Sequence, residues 1–263
     1  MAITKNKNYT LVEDTQPIEI KNTKLNDAKA KRDDEFYTLV EDVQEVYELL
    51  KDVLQKFDYI LCPADTEQSN FVKVLKEHNI NVEYCQNIYA VFEEERKQHN
   101  FMILTNPPFS YNNNWIPELV KHNIKFFVLS NILAGPNNYP LLINDSIYGY
   151  GARAYKFMHI TGKIRTAPAV WLHNIQDIAH IKKTAKKRNT GIIRDDAEQI
   201  PVVKNLNDFY TNDYYRTQNR LYVPITYLYT NGFDGYKKIR FNNNVIANGK
   251  SQFIKILIER EEI

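Results

Sequence analysis

Phe101-Met102-Ile103-Leu104-Thr105-Asn106-Pro107-Pro108-Phe109-Ser110 is the stretch on which the reading of this chain turns. Its first four residues form an apolar run with no polar face, the pattern of a buried strand, and the prolines that follow stop it. Toward the N-terminus, Tyr59-Ile60-Leu61-Cys62 is a second such run, closed by Pro63, and Ile80-Asn81-Val82-Glu83-Tyr84-Cys85 is a third strand candidate. Helical patterns alternate with these runs. Val40, Val43, Val46, Tyr47, Leu50, Val53 and Leu54 recur at three-and-four spacing, a helix of about five turns ending near Phe57. Ser69 is a good N-cap for the helix carrying Phe71, Val72, Val74 and Leu75; a charged helix is expected over 88–99, and another around Pro117-Glu118-Leu119-Val120. On the C-terminal side, Phe126-Phe127-Val128-Leu129 is a further strand. Strands without a polar face, alternating with helices, imply an α/β domain over 34–175 with a mainly parallel sheet covered on both sides. Ligands of such sheets bind outside the carboxyl ends of the strands, which directs attention to 63–70, 83–88, 105–110 and 130–138.

Composition bounds the remainder. A chain of 263 residues with 43% hydrophobic and 25% charged residues is an ordinary globular sequence, not a disordered or collagen-like one. No run approaches 18 apolar residues and the first residues lack the core of a signal peptide, so a soluble, cytoplasmic protein without a membrane partner is expected. Cys62 and Cys85 have no zinc-type spacing, and the six histidines form no ligand-like grouping, so no metal is expected. Residues 1–33 are polar and read as an N-terminal arm, and 176–263, where the pattern changes, as a smaller C-terminal recognition region. Charge is unevenly distributed. Residues 151–194 hold ten Lys/Arg against one acid, Asp177, and so carry +9 while the rest of the chain carries −7. That asymmetry is the footprint of a nucleic-acid face, densest at Lys182, Lys183, Lys186, Lys187 and Arg188.

Every residue of Asn106-Pro107-Pro108-Phe109 has a chemical rationale at a strand end. The prolines fix the backbone and remove two N–H donors, leaving carbonyl oxygens facing a pocket. The Asn106 side chain adds an acceptor, so two acceptors grip both hydrogens of an exocyclic amine and expose its lone pair to an electrophile. The Phe109 ring offers a flat face on which a flipped base stacks.

These residues resemble the signature [DNS]-P-P-[YFW] of the amino-methyltransferases that use S-adenosylmethionine. Together with Asp34-Glu35-Phe36-Tyr37-Thr38, Cys62-Pro63-Ala64-Asp65, Ser69-Asn70-Phe71, Val223-Pro224-Ile225-Thr226 and Asn248-Gly249-Lys250, in one order over about 34–260, the chain looks like the EcoRI-type adenine-specific DNA methyltransferases. The resemblance implies a Rossmann-like fold, S-adenosylmethionine as cofactor, double-stranded DNA as partner and transfer of a methyl group to adenine N6. It allows a cognate restriction endonuclease as a further partner. It also implies that Phe36, Tyr37 and Thr38 flank the methionine end of the cofactor, that Asp65, Ser69 and Asn70 form the loop after the first strand, and that Glu83 is the ribose-binding acid. A glycine-rich loop is missing, one strand candidate stands where the family has two, and Gln86-Asn87 replaces the acidic adenine contact. Cytosine N4 or an RNA base as the methylated amine stays open, as does a relative that binds cofactor or DNA with little turnover.

Overall fold

The computed structural model describes residues 36–93, 96, 98–133, 136–159, 162–178, 192–229, 235–242, 245–252 and 254–261. The arm read at 1–33 lies outside them, as do Lys182, Lys183, Lys186, Lys187 and Arg188.

Helix α1 spans Val40–Leu54, ending three residues before the expected Phe57, and buries Val43, Val46, Leu50, Val53 and Leu54 on one face. Glu41 and Asp42 in its first turn and Lys51 in its last complement the helix dipole. Helix α2 (Asn70–Glu77) starts where expected, with the Ser69 hydroxyl accepting from the Phe71 N–H. Helix α3 runs Phe109–Lys121 with Pro117 inside it. The triplet His78-Asn79-Ile80 ends α2 and His122-Asn123-Ile124 ends α3. In both, the asparagine takes a left-handed φ (59° and 54°) and the isoleucine N–H bonds back five residues, to Leu75 and Leu119. Asparagine tolerates that conformation, so one device terminates two helices.

The strands are β1 (Phe36–Thr38), β2 (Tyr59–Cys62), β3 (Val82–Tyr84), β4 (Phe101–Thr105), β5 (Lys125–Asn131), β6 (Tyr148–His159) and β7 (Ile164–His173), in a seven-stranded sheet of order β1-β6-β7-β5-β4-β2-β3. The fold is α/β, and the sheet is mixed. It is parallel around β2, which pairs with β3 and β4 in that sense, whereas β1 with β6 and β5 with β7 are antiparallel. The expected parallel arrangement thus holds around β2, and antiparallel pairing takes over at β7 and β1. The sequence between β6 and β7 is too short for the dozen or more residues of a parallel crossover, so that pair has to reverse direction.

Among the described residues, one compact unit runs up to Pro108 and takes in Tyr155–Ala167; the other holds Phe109–Ala154 and continues from Pro168. In the first, Ile60, Leu61, Cys62, Met102 and Ile103 have no exposure, because β2 and β4 are covered on both faces. In the second, Phe126–Leu129 is equally buried, and a five-stranded sheet runs β11-β14-β10-β9-β8, built from β8 (Ile193–Arg194), β9 (Pro201–Val202), β10 (Arg220–Pro224), β11 (Tyr236–Asn242) and β14 (Lys255–Arg260). Beside them β12 (Ile246–Ala247) and β13 (Lys250–Ser251) form a hairpin. Its Asn248-Gly249 turn has positive φ at both residues, and the Asp196 carboxylate accepts from both of their N–H groups.

Two local expectations change. Among the described residues of 88–99, the expected charged helix is replaced by a 3-10 turn at Ile88–Phe92, in which Ile88, Ala90 and Val91 are buried and after which Glu93 is extended. Asn112-Asn113-Asn114, whose residue type favours a loop, belongs to α3, where buried Asn112 donates through Nδ2 to the Leu129 carbonyl. Tertiary hydrogen bonding here overrides the low helix propensity of asparagine.

Candidate functional site

The sheet reverses its order at β2, with β3 on one side and β4 on the other, and the carboxyl ends of these parallel strands carry the expected residues. At the end of β2 the chain turns at Pro63. The Asp65 N–H donates to the carbonyls of Cys62 and Cys85, which fixes the loop without any glycine. Asp65 is buried. Its Oδ1 accepts from the Ser69 hydroxyl at 2.6 Å and its Oδ2 from the Thr105 hydroxyl at 2.7 Å. Burial pushes its pKa up to about 6, against the opposing pull of the Ser69 and Thr105 donors.

Ser69 is at once the donor to Asp65 and the cap of α2. Next to it, Asn70 Nδ2 donates to the Thr38 carbonyl at 2.8 Å, which ties the segment before α1 to the start of α2. Thr38 is buried, and among the described residues its Oγ1 has no hydrogen-bond partner. Thr38, expected beside the methionine end of a cofactor, thus meets Asn70, and Asp65 meets Ser69 within the expected loop after the first strand. Tyr37, half-buried, stands beside Thr38 in β1, paired opposite Met158 of β6. Phe36 pairs opposite His159 at the start of the same strand.

Glu83, on β3, is bound within the protein. Its Oε2 accepts from Arg96 Nη1 at 2.8 Å, and the same nitrogen donates to the Tyr59 hydroxyl at 3.0 Å. The Glu83 side chain keeps 35% of its exposure while Arg96 keeps 6%. Gln86 and Asn87 shape the loop after β3: Gln86 bridges to Ala64, and Asn87 Oδ1 accepts from the Tyr89 N–H. Burial raises the Cys85 thiol, which contacts the Pro63 and Asn87 carbonyls, above its usual range, and raises that of fully buried Cys62 further, so neither is set up as a thiolate nucleophile.

Asn106-Pro107-Pro108 leaves β4 as irregular backbone, with Pro107 buried and Asn106 and Pro108 half-buried, and Phe109 opens α3 half-buried. Thr105, directly before this turn, has no exposure. The sequence reading missed Thr105 and Arg96 as partners of site residues. A hydroxyl at the carboxyl end of an otherwise apolar strand was the available signal for Thr105; Arg96, inside a charged run, had none.

Of the basic stretch, Arg153, Lys156, Lys163, Arg165 and Arg194 are exposed. Val223-Pro224 ends β10, and Ile225-Thr226 begins a 3-10 turn. Among the described residues, no three His, Cys, Asp or Glu side chains gather in a way that could hold a metal ion, and no helix is long and apolar enough to cross a membrane. Set against models of known families, curated proteins and solved structures, the chain matches none, so the reading of this site rests on its own residues.

Proposed function

We propose that this chain is a Rossmann-like, S-adenosylmethionine-dependent methyltransferase acting on the N6 amine of a flipped adenine in DNA. The observation that carries the reading is the hydrogen-bonded assembly of Thr38, Asp65, Ser69, Asn70 and Thr105 at the carboxyl ends of β2 and β4, where an open sheet binds ligands and where the Asn-Pro-Pro turn begins.

The residues fit the cofactor at its two ends. Thr38 Oγ1 is a buried hydroxyl in want of a partner, beside Asn70, and a methionine-type carboxylate or ammonium satisfies it. Glu83 is about a third exposed, and a carboxylate with about four lone-pair sites accepts a ribose hydroxyl as well as Arg96. Bound there, S-adenosylmethionine supplies a sulfonium-activated methyl group. Asn106 Oδ1 and the Pro107 carbonyl hold the amine hydrogens, the Phe109 ring stacks the base, and the two prolines keep competing N–H donors out of the turn. Phosphate contacts fall to the basic stretch 151–194, so DNA affinity drops steeply with salt.

Transfer of labelled methyl from S-adenosylmethionine to unmodified genomic DNA, with nucleoside analysis of the product, tests the reading. Label in N6-methyladenine, reduced at least a hundredfold in Asn106→Ala with cofactor affinity unchanged, is the expected result; equal transfer by Asn106→Ala overturns it. Label in N4-methylcytosine or RNA would move the substrate and keep the chemistry. The Glu83–Arg96 pair and the Gln86 bridge favour a second reading, a protein that binds cofactor without turnover. Cofactor binding with no label on any nucleic acid would select it.

A further inference from the structure

We infer that Thr105 and Asp65 are positioning residues that set the Asn106-Pro107-Pro108 turn against the N-terminus of α2, with the Asp65 carboxylate holding protein hydroxyls rather than the cofactor. The inference deepens the methyl-transfer reading and rests on it for its kinetic consequence.

The Asn106-Pro107-Pro108 turn is poor in main-chain donors. Two of its three residues have no N–H, so Asn106 alone offers a backbone donor, and a segment with so few main-chain donors takes its placement from its flanks. On the strand side the flank is Thr105, fully buried, with a single side-chain donor. It spends that donor on Asp65 Oδ2 at 2.7 Å. The other carboxylate oxygen takes the Ser69 hydroxyl at 2.6 Å, a separation typical of a strong O–H···O⁻ bond. Ser69 in turn accepts from the Phe71 N–H, so its hydroxyl proton is directed at Asp65 and the group is oriented from both sides. Three buried side chains thus form one continuous path from the first turn of α2 to the residue before Asn106. Asp65 is 9% exposed, with a protein donor on each oxygen. Glu83, by contrast, keeps about a third of its side chain exposed.

The consequence is a division of labour. Ser69 and Asp65 hold the loop after β2, Thr105 transmits that position to the turn, and the turn presents Asn106. A displacement of about 1 Å at a reacting centre costs on the order of a hundredfold in rate, so loss of one remote hydroxyl reaches the chemistry without touching it.

The test compares Thr105→Val, which keeps the shape and removes the donor, with Thr105→Ser, which keeps the donor. Amide hydrogen exchange of the peptide covering 101–112 is read first, in the full-length protein without substrate. The expected result is at least tenfold faster exchange at Asn106 and Phe109 in Thr105→Val and wild-type exchange in Thr105→Ser. Unchanged exchange in Thr105→Val overturns the inference whether or not the protein transfers methyl groups. Kinetics follow: Thr105→Val lowers kcat ten- to a hundredfold, with KM for S-adenosylmethionine within threefold, and Thr105→Ser restores kcat. Asp65→Asn provides the opposing arm, because a tenfold loss of cofactor affinity with an undisturbed 101–112 peptide makes Asp65 a ligand and refutes the positioning role. If Thr105→Val does not fold, Asp65→Asn carries the exchange comparison alone. A wild type that transfers no methyl group to any nucleic acid sinks the functional reading and leaves the exchange result to decide the structural one.

Discussion

Replacing Asp65 by Asn turns the buried carboxyl of the candidate site into a measurable pH dependence of stability. The ordinary value for this acid is 3.8, and in the folded protein burial raises it to about 6, with the Ser69 and Thr105 hydroxyls pulling it down by less than burial pushes it up. Between those two values the folded state binds the proton more tightly than the unfolded chain does. The contribution of Asp65 to stability is therefore complete below about pH 4 and is lost as the pH rises through about 6. At 1.36 kcal/mol per unit, a separation of roughly two units amounts to ~3 kcal/mol. Urea unfolding of wild type and Asp65→Asn at pH 4 to 8 isolates it, because the other acids titrate alike in both proteins. The wild type is expected to lose ~3 kcal/mol relative to the variant between pH 4 and 7, with no further change to pH 8. A difference that stays constant, or that moves in favour of the wild type as pH rises, would refute the reasoning. It would mean that two hydroxyl donors compensate an ionised carboxylate for its desolvation.

Three further substitutions probe the rest of the molecule. A Cβ at Gly149 would stand 2.2 Å from the ring of Tyr229, whose hydroxyl donates to the Ile132 carbonyl, so Gly149→Ala must displace that ring at a cost of about 1–3 kcal/mol. An unchanged melting temperature would show that the ring moves freely. Lys255, buried beside the Val203 carbonyl, has its pKa lowered to about 8 chiefly by desolvation, and the unfolded chain holds the proton up to about 10.5. Wild type should therefore gain stability over Lys255→Met as pH rises from 8 to 10 in chemical unfolding, and a flat difference contradicts it. Arg96→Leu removes the bonds to Glu83 and Tyr59 from a buried guanidinium site and should cost about 2 kcal/mol in urea unfolding, more than Lys121→Leu at an exposed pair; equal costs would mark the Arg96 pair as a surface interaction.

Outside 88–99, the alternation of apolar runs and helical patterns from Val40 to Leu129 was legible because burial on two faces leaves an uninterrupted mark, as β2 and β4 show. The Ser69 cap and the Asn-Pro-Pro turn after β4 were legible for the same kind of reason: each is a local constraint, a hydroxyl at a helix start and two residues without an N–H. The helix over Asn112-Asn113-Asn114 was not, since its stability includes a hydrogen bond from Asn112 to Leu129, a partner seventeen residues away. Nor was the antiparallel course of β7, because the direction of a strand depends on where its neighbour lies and not on its own composition.

The same division holds at the candidate site. The sequence by itself determined which residues follow the ends of the strands, among them Asp65, Ser69, Asn70 and Asn106, and the chemistry those residue types offer. Only the tertiary structure decided which of them meet: Asn70 with Thr38, Asp65 with Ser69 and Thr105, Glu83 with Arg96. Hydrogen bonds and ion pairs act over about 3 Å between groups that lie from 4 to 40 residues apart along the chain, a distance in space on which spacing along the chain is silent.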